Sequence, residues 1–194
     1  MIASPTDRRI VLVSGPPASG KTAIARPLAE ALGFALLTKD DIKEALFLAL
    51  NGPAGDLEFS HRMSGAAMDI LWSLAPHCPR LVLEANFRTQ DPAEREKLAS
   101  LRGNIVEVHC RLPLEEASRR FARRAREERH HPAHALQKIS LDRLAEYAEP
   151  FGMTPVLEIN TTAPVNLEEL LQAIESLWAS GADSPRRAHG QPVL

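Results

Sequence analysis

The stretch RIVLVSGPPASGKT, residues 9–22, decides the fold. Its first half is an apolar run rich in Val and Ile, the composition of a buried strand. Its second half, Gly15-Pro16-Pro17-Ala18-Ser19-Gly20-Lys21-Thr22, has the spacing G-x-x-x-x-G-K-[ST]. Gly15 and Gly20 free the backbone to curl, so that successive N–H groups converge on phosphate oxygens. The helix opened by this loop adds the partial positive charge of its N-terminus. Lys21 is placed to reach the outer phosphates of a nucleotide, and Thr22 to offer its hydroxyl to Mg²⁺. An incidental turn of this composition would lack the strand before it and the helix after it.

Downstream, short apolar runs alternate with amphipathic stretches. The pattern predicts a helix over 20–32, ended by Gly33, with Pro27 expected to remove one hydrogen bond and kink the second turn. FALLT (34–38) reads as a strand and residues 41–50 as a helix. Residues 57–75 read as a helix with Leu57, Met63, Ala67, Ile70, Leu71 and Leu74 on or near one side. RLVLEA (80–85) is a strand, and Asp91 and Pro92 suit the N-cap and first position of the next helix. NIVEVHCRL (104–112) is a strand, a long arginine-rich helix starts near Pro113, TPVLEINTT (154–162) is a strand, and Asn166 caps a final helix. Such alternation argues for a three-layer α/β fold with a mainly parallel sheet. Residues 1–180 make one domain, and the tail 181–194, without apolar periodicity, is expected to be disordered. In such sheets ligands bind beyond the carboxyl ends of the strands, so 15–22, 39–43, 84–88, 111–130 and 160–164 are where chemistry is expected.

Composition narrows the partners. The 194 residues are 44% hydrophobic and 25% charged, with a net charge of −2, so no global basic field draws the chain to nucleic acid or an acidic membrane. Two cysteines, Cys78 and Cys110, fit buried thiols in a reduced, cytoplasmic protein. No apolar run reaches the ~20 residues of a membrane span, and MIASPTDRR lacks an apolar leader.

The loop can serve transfer, hydrolysis or a switch. TKDD (38–41) matches a guanine-reading motif literally, but it follows the second strand, and no convincing Asp-x-x-Gly accompanies it. The same residues suit phosphoryl transfer: a carboxylate there faces the γ-phosphate and can take the proton of an attacking hydroxyl. Asp40 comes first after the strand, whereas Asp41 also suits a helix cap, and both stay open as the base. Lys43 lies one turn on and can hold the acceptor. In LVLEANFR (81–88), Glu84 ends a strand where it can order Mg²⁺ or bind the acceptor, and Asn86 and Arg88 can donate to the acceptor. In LEEASRRFARRAREERHHPAH (114–134), Leu114, Ala117, Phe121 and Ala125 form an apolar stripe. Its arginines are either a solvated face or a lid, over about 115–135, that closes on the triphosphate; Arg120, Arg124 and Arg126 are the candidates for stabilising the moving phosphoryl group. Pro132 interrupts His130, His131 and His134, which argues against zinc. Thr162, in the turn after the last strand, can pack on the adenine edge. His61, Arg62 and Asp69 are polar groups available to an acceptor pocket between residues 41–50 and 57–75.

Taken together, GPPASGKT, TKDDIKEAL, LVLEANF, RRFARRAREERHHPAH and INTTAPV resemble the small P-loop kinases over about residues 9–178. The resemblance is to the AAA-33 type, alongside polynucleotide 5′-hydroxyl kinase domains, chloramphenicol phosphotransferase and zeta-toxin kinases. It implies a five-stranded parallel sheet, an ATP·Mg²⁺ donor held by Lys21 and Thr22, and Asp40 as general base. Lys43 stands where polynucleotide kinases place an Arg, and Glu84 where they place an Asp. Those departures, with 5% aromatic residues, weigh against a nucleic acid acceptor, which basic grooves and stacking rings hold. The expectation is an ATP-dependent kinase acting on a small-molecule hydroxyl; a polynucleotide 5′-kinase and a non-catalytic ATP-binding module are the alternatives.

Overall fold

The computed structural model describes residues 8–127 and 130–180. The sheet is all parallel and has five strands: β1 (Arg9–Ser14), β2 (Ala35–Thr38), β3 (Arg80–Glu84), β4 (Asn104–Arg111) and β5 (Val156–Asn160). Their order is β2-β3-β1-β4-β5, so β1 is central and the chain runs to both sides of it. In register, Val13 lies between Glu84 of β3 and Val108 of β4. All five carboxyl ends therefore open on one edge, and the glycine-rich loop leaves from the middle of it.

Both faces of the sheet are covered, which is why β1 reads as a continuous apolar run rather than an alternating one. Val11 and Val13 pack with Ala25 and Leu28 of α1 (Lys21–Leu32) and with Leu170, Ile174 and Trp178 of α7 (Leu167–Ala179). Ile10 and Leu12 enter the opposite core with Leu71 and Trp72 of α3 (Leu57–Leu74), Leu98 of α4 (Pro92–Ser100), Phe87 and Phe151. The helix ends follow local chemistry. Gly33 takes a left-handed conformation, φ 64°, to close α1, and Asp91 and Asn166 accept backbone N–H bonds at the starts of α4 and α7. α1 continues unbroken through Pro27.

Three elements depart from the sequence expectation. α2 (Lys39–Ala49) begins two residues early, because Thr38 caps it: its Oγ1 accepts the Asp41 N–H at 2.9 Å. On α3 the buried positions are Ser60, Ala67, Leu71 and Trp72, whereas Leu57 and Leu74 are exposed. The buried stripe is turned because α3 packs on α2 as well as on the sheet, through Phe47–Phe59 and Lys43–Ser60. The arginine-rich helix α5 (Leu114–Arg124) stops at Arg124. Arg126 and Glu127 donate to the carbonyls of Arg123 and Arg124, three residues back, and the chain turns away. This turn lets residues 130–139 fold over the strand ends, where Ala133 is buried and accepts a hydrogen bond from Ser60 at 2.7 Å. A short helix the pattern gave no sign of, α6 (Leu141–Ala145), packs through Leu144 on Ala117 of α5. Among the described residues no helix is long and apolar enough to cross a membrane. The tail 181–194 lies outside the described residues.

One buried polar chain ties this roof to the loop. Ser14 Oγ lies 2.6 Å from Glu107 Oε1 and 2.8 Å from His109 Nδ1, and His109 Nε2 lies 2.8 Å from the Ala148 carbonyl. The carbonyl can only accept, so Nε2 carries a proton. Burial pushes the Glu107 carboxyl up, against the hydrogen bonds it accepts from Ser14, Phe151 and Gly152, and pushes the His109 imidazole down. Ser14 donates to Glu107 Oε1, and His109 Nε2–H donates to the Ala148 carbonyl. Glu107 also accepts the N–H groups of Phe151 and Gly152 at 3.1 and 3.3 Å. The residue that precedes Gly15 is thus fastened to the segment following α6. Replacing Glu107 by Ala strands several buried groups, each costing roughly 1–3 kcal/mol. Urea unfolding should show Glu107→Ala destabilised by about 3 kcal/mol or more, and Glu107→Gln by less.

Candidate active site

The loop curls because three of its residues take positive φ: Gly15 at 130°, Ala18 at 62° and Gly20 at 86°. Gly15 passes so close to β4 that a Cβ would lie 2.5 Å from the Cys110 carbonyl oxygen. Gly20 caps α1 without a side chain; in the first turn the Ala23 N–H donates to the Gly20 carbonyl at 3.0 Å, and no cap side chain covers the N–H groups of Lys21 and Thr22. Lys21 is the first residue of α1. It is buried, and its Nζ donates to the Pro16 carbonyl at 2.7 Å. Burial lowers the Lys21 pKa, while Glu84 and Asp40 work in the other direction. Thr22 Oγ1 donates to Glu84 Oε2 at 3.0 Å. Glu84, at the end of β3, is also buried, and burial raises its carboxyl pKa against the pull of Lys21.

Above the loop is a cavity of about 340 Å³. Pro17, Ala18, Gly20, Lys21 and Thr22 line it, while Gly15, Pro16 and Ser19 do not. Asp40 lines the cavity and Asp41 does not, though they are neighbours in sequence. Asp41 is drawn outward by Arg26, whose guanidinium nitrogen contacts both carboxylate oxygens at 2.7 and 2.9 Å. Asp40 stays partly open, with Lys39 at 3.9 Å. Burial acts to raise its pKa, but Lys39, His134, Lys21 and Arg124 outweigh burial and hold the carboxyl below its ordinary value. Lys39 in turn donates to Asn86 Oδ1 at 3.2 Å, which aims Asn86 at the same space. Lys43 donates to Ser60 Oγ at 2.8 Å, and burial lowers its pKa to about 8.

The arginines separate. Arg124 lines the cavity. Arg120 binds Glu116 at 2.8 Å and the Thr161 carbonyl at 3.1 Å, holding α5 to the loop after β5 from outside the cavity. Arg126 is not among the lining residues, and neither is Arg88, which pairs with Glu146 at 3.1 Å. Thr162 is exposed and donates to Asn160 Oδ1 at 2.7 Å, away from the cavity. Of the three groups considered on α3, His61 lines the cavity, Arg62 lies over Phe59, and Asp69 pairs with Lys97. The sequence reading missed Lys39, Ser60, Ser64, Arg143 and Tyr147, all of which line the cavity. Arg143 and Tyr147 sit in a segment without a readable period, and only the contact of α6 with α5 brings them over the strand ends. Among the described residues no cluster of three His, Cys, Asp or Glu side chains could hold a metal. His134 Nε2 lies 2.9 Å from Glu44, and His130 Nε2 lies 2.8 Å from the His134 carbonyl. Cys110 is a buried thiol pushed up to about 12 by burial, while Cys78 is partly exposed.

Residues 10–150 match the family model of the AAA domain, AAA-33 type. The chain belongs to that family. No curated protein matches this AAA domain in sequence. Among solved structures it is similar to a protein assigned as a kinase from Chloroflexus aurantiacus, at 24% identity and TM-score 0.75, over 88% of this chain and 98% of that one. It is also similar to the shikimate kinase of Bacteroides thetaiotaomicron, at 18% identity and TM-score 0.57, over 89% of this chain and 98% of that one. A shikimate kinase of Acinetobacter baumannii, solved with shikimate, matches at 22% identity and TM-score 0.52, over 91% and 96% of the two chains. At these identities the likeness is one of fold, and the fold of this AAA domain is that of the P-loop kinases.

Gly15 offers a direct check on the loop geometry. In Gly15→Ala the new methyl meets the Cys110 carbonyl and a φ that L-residues rarely adopt. Thermal unfolding should show a loss of about 2–4 kcal/mol, and titration with a fluorescent ATP analogue should show affinity reduced at least tenfold.

Proposed function

We propose that this protein is an ATP-dependent kinase that transfers the γ-phosphoryl group to a hydroxyl of a small molecule. The observation that carries the reading is Asp40, a carboxylate kept ionised by surrounding cations and open to the cavity that the loop lysine enters. The cavity volume of about 340 Å³ suits a small acceptor. Lys21 and the N-terminus of α1 would hold the phosphates, with Arg124 over them from α5. Asp40 accepts a hydrogen bond from the acceptor hydroxyl and orients its oxygen. As the new oxygen–phosphorus bond forms and the bond to ADP breaks, the hydroxyl proton passes to Asp40 and then to solvent. A carboxylate of low pKa is a weak base, so it takes the proton late, which fits a loose transfer.

The donor set at Thr22 and Glu84 fits Mg²⁺. Both offer oxygen, the carboxylate is buried with the hydroxyl as its hydrogen-bond partner among the described residues, and Mg²⁺ is held by one or two carboxylates plus substrate phosphates. When bound there, Mg²⁺ would neutralise charge on the phosphates. Residues 130–139 act on the competing reaction: His130, His134, Leu136 and Ile139 roof the cavity and reduce the access of water.

Removing the base and removing the phosphate lysine should act differently. Asp40→Asn should bind ATP·Mg²⁺ within about threefold of wild type and lose ~10²–10⁴ in acceptor-dependent ADP release. Lys21→Ala should lose both binding and turnover. The check is calorimetry beside coupled ADP release against nucleosides, sugars, hydroxy acids and 5′-hydroxyl oligonucleotides. Wild-type turnover surviving in Asp40→Asn would remove Asp40 as base, and ATP binding without any stimulated release would favour a binding module.

A further inference from the structure

The identity of the acceptor deepens the kinase reading and rests on it. Five lysine and arginine side chains but only two carboxylates, Asp40 and Glu84, line the cavity. Three of the five cations have tasks. In the proposed reaction Lys21 and Arg124 would take the nucleotide phosphates, and Lys39 is engaged with Asp40 and Asn86. Lys43 and Arg143 remain.

Lys43 is 5% exposed, and among the described residues its hydrogen bond goes to the Ser60 hydroxyl, a neutral partner. Ser60 gives its own proton to the Ala133 carbonyl, so it accepts from Lys43 and leaves the other ammonium protons to the cavity. The neighbouring carboxylates are taken: Glu44 by His134 and Glu146 by Arg88. Among the described residues neither Lys43 nor Arg143 has an ion-pair partner. Burial lowers the Lys43 pKa to about 8, and Asp40 and Glu44 offset that only through space, so a cation held out of water without a contacting counter-ion remains costly. Such an arrangement suits a ligand that supplies the missing charge. The hydroxyls of Ser60 and Ser64 beside it suit the rest of a polyhydroxylated molecule.

The geometry points to an acceptor that carries an anionic group, a carboxylate or a phosphate monoester, apart from the hydroxyl that is phosphorylated. Lys43 on α2 and Arg143 on α6 receive that anion, and Asp40, one turn before Lys43, receives the hydroxyl. The class is a hydroxy acid or a sugar phosphate; neutral sugars and alcohols leave the two cations uncompensated.

The test fills the phosphate loop first. Protein saturated with the β,γ-imido analogue of ATP and Mg²⁺ is titrated calorimetrically with D-gluconate, with inorganic phosphate and with D-glucitol, the neutral match of gluconate. One of the two anions should bind saturably and glucitol should not; which anion binds more tightly separates the carboxylate from the phosphate source. Lys43→Met and Arg143→Met should each weaken anion binding at least tenfold, with analogue affinity within twofold of wild type, and Arg143→Lys should recover most of the loss. If Lys43→Met also loses the analogue, its fold has failed, and the half-buried Arg143 decides alone. Absence of saturable anion binding, or binding indifferent to Arg143→Met, overturns the inference and leaves the kinase reading standing. Failure of the wild type to bind the analogue overturns the kinase reading and this inference with it.

Discussion

Lys21 is a cation held out of water whose hydrogen-bond partner among the described residues is a backbone carbonyl. That burial costs free energy, and Glu84 and Asp40 offset it only through space. The arrangement makes sense as a socket for polyanionic phosphate, because a ligand brings the charge that the protein withholds. Much of the rest follows from keeping that ammonium in place. Gly15 must pass within reach of the Cys110 carbonyl, Gly20 must open α1 without a side chain, and β3 must end on Glu84 beside Thr22.

The sheet order serves the same end. With β1 central, the loop rises between β3 and β4, and the first residues after β2 and β3, with the end of the helix after β4, surround it. Asp40 arrives from α2, Glu84 from the end of β3, Asn86 from the loop after it, and Arg124 from the helix that follows β4. The roof is joined to this floor by hydrogen bonds between distant segments, Ser60 to Ala133 and Ser14 through His109 to Ala148. Buried bonds of this kind fix one arrangement, because breaking any of them strands a polar group.

The strands and the loop were legible because their signals are local. An apolar run buried on both faces, a glycine spacing and a cap residue are each read within about ten residues. Asn166 and Asp91 cap the helices expected of them, and the five apolar runs are the five strands. What was illegible depends on partners far along the chain. Asp40 and Asp41 look alike in sequence, and only Arg26, fifteen positions before Asp41, turns one of them outward. The helix after β4 has an apolar stripe that continues to Ala125, yet it ends at Arg124 because the chain must turn back over the cavity. Arg143, Tyr147 and Ser60 carry no motif, and their side of the cavity exists only once α3 and α6 are packed.

The central claim is that the γ-phosphoryl group is moved to a hydroxyl and not merely held or given to water. Phosphorus NMR of the protein with ATP·Mg²⁺ and a mixture of hydroxy acids, sugar phosphates, sugars and 5′-hydroxyl oligonucleotides observes that step directly. The account predicts a new phosphate-ester resonance that grows in step with ADP, with inorganic phosphate a minor product. ADP matched only by inorganic phosphate, or ATP left intact in the full mixture, would contradict it.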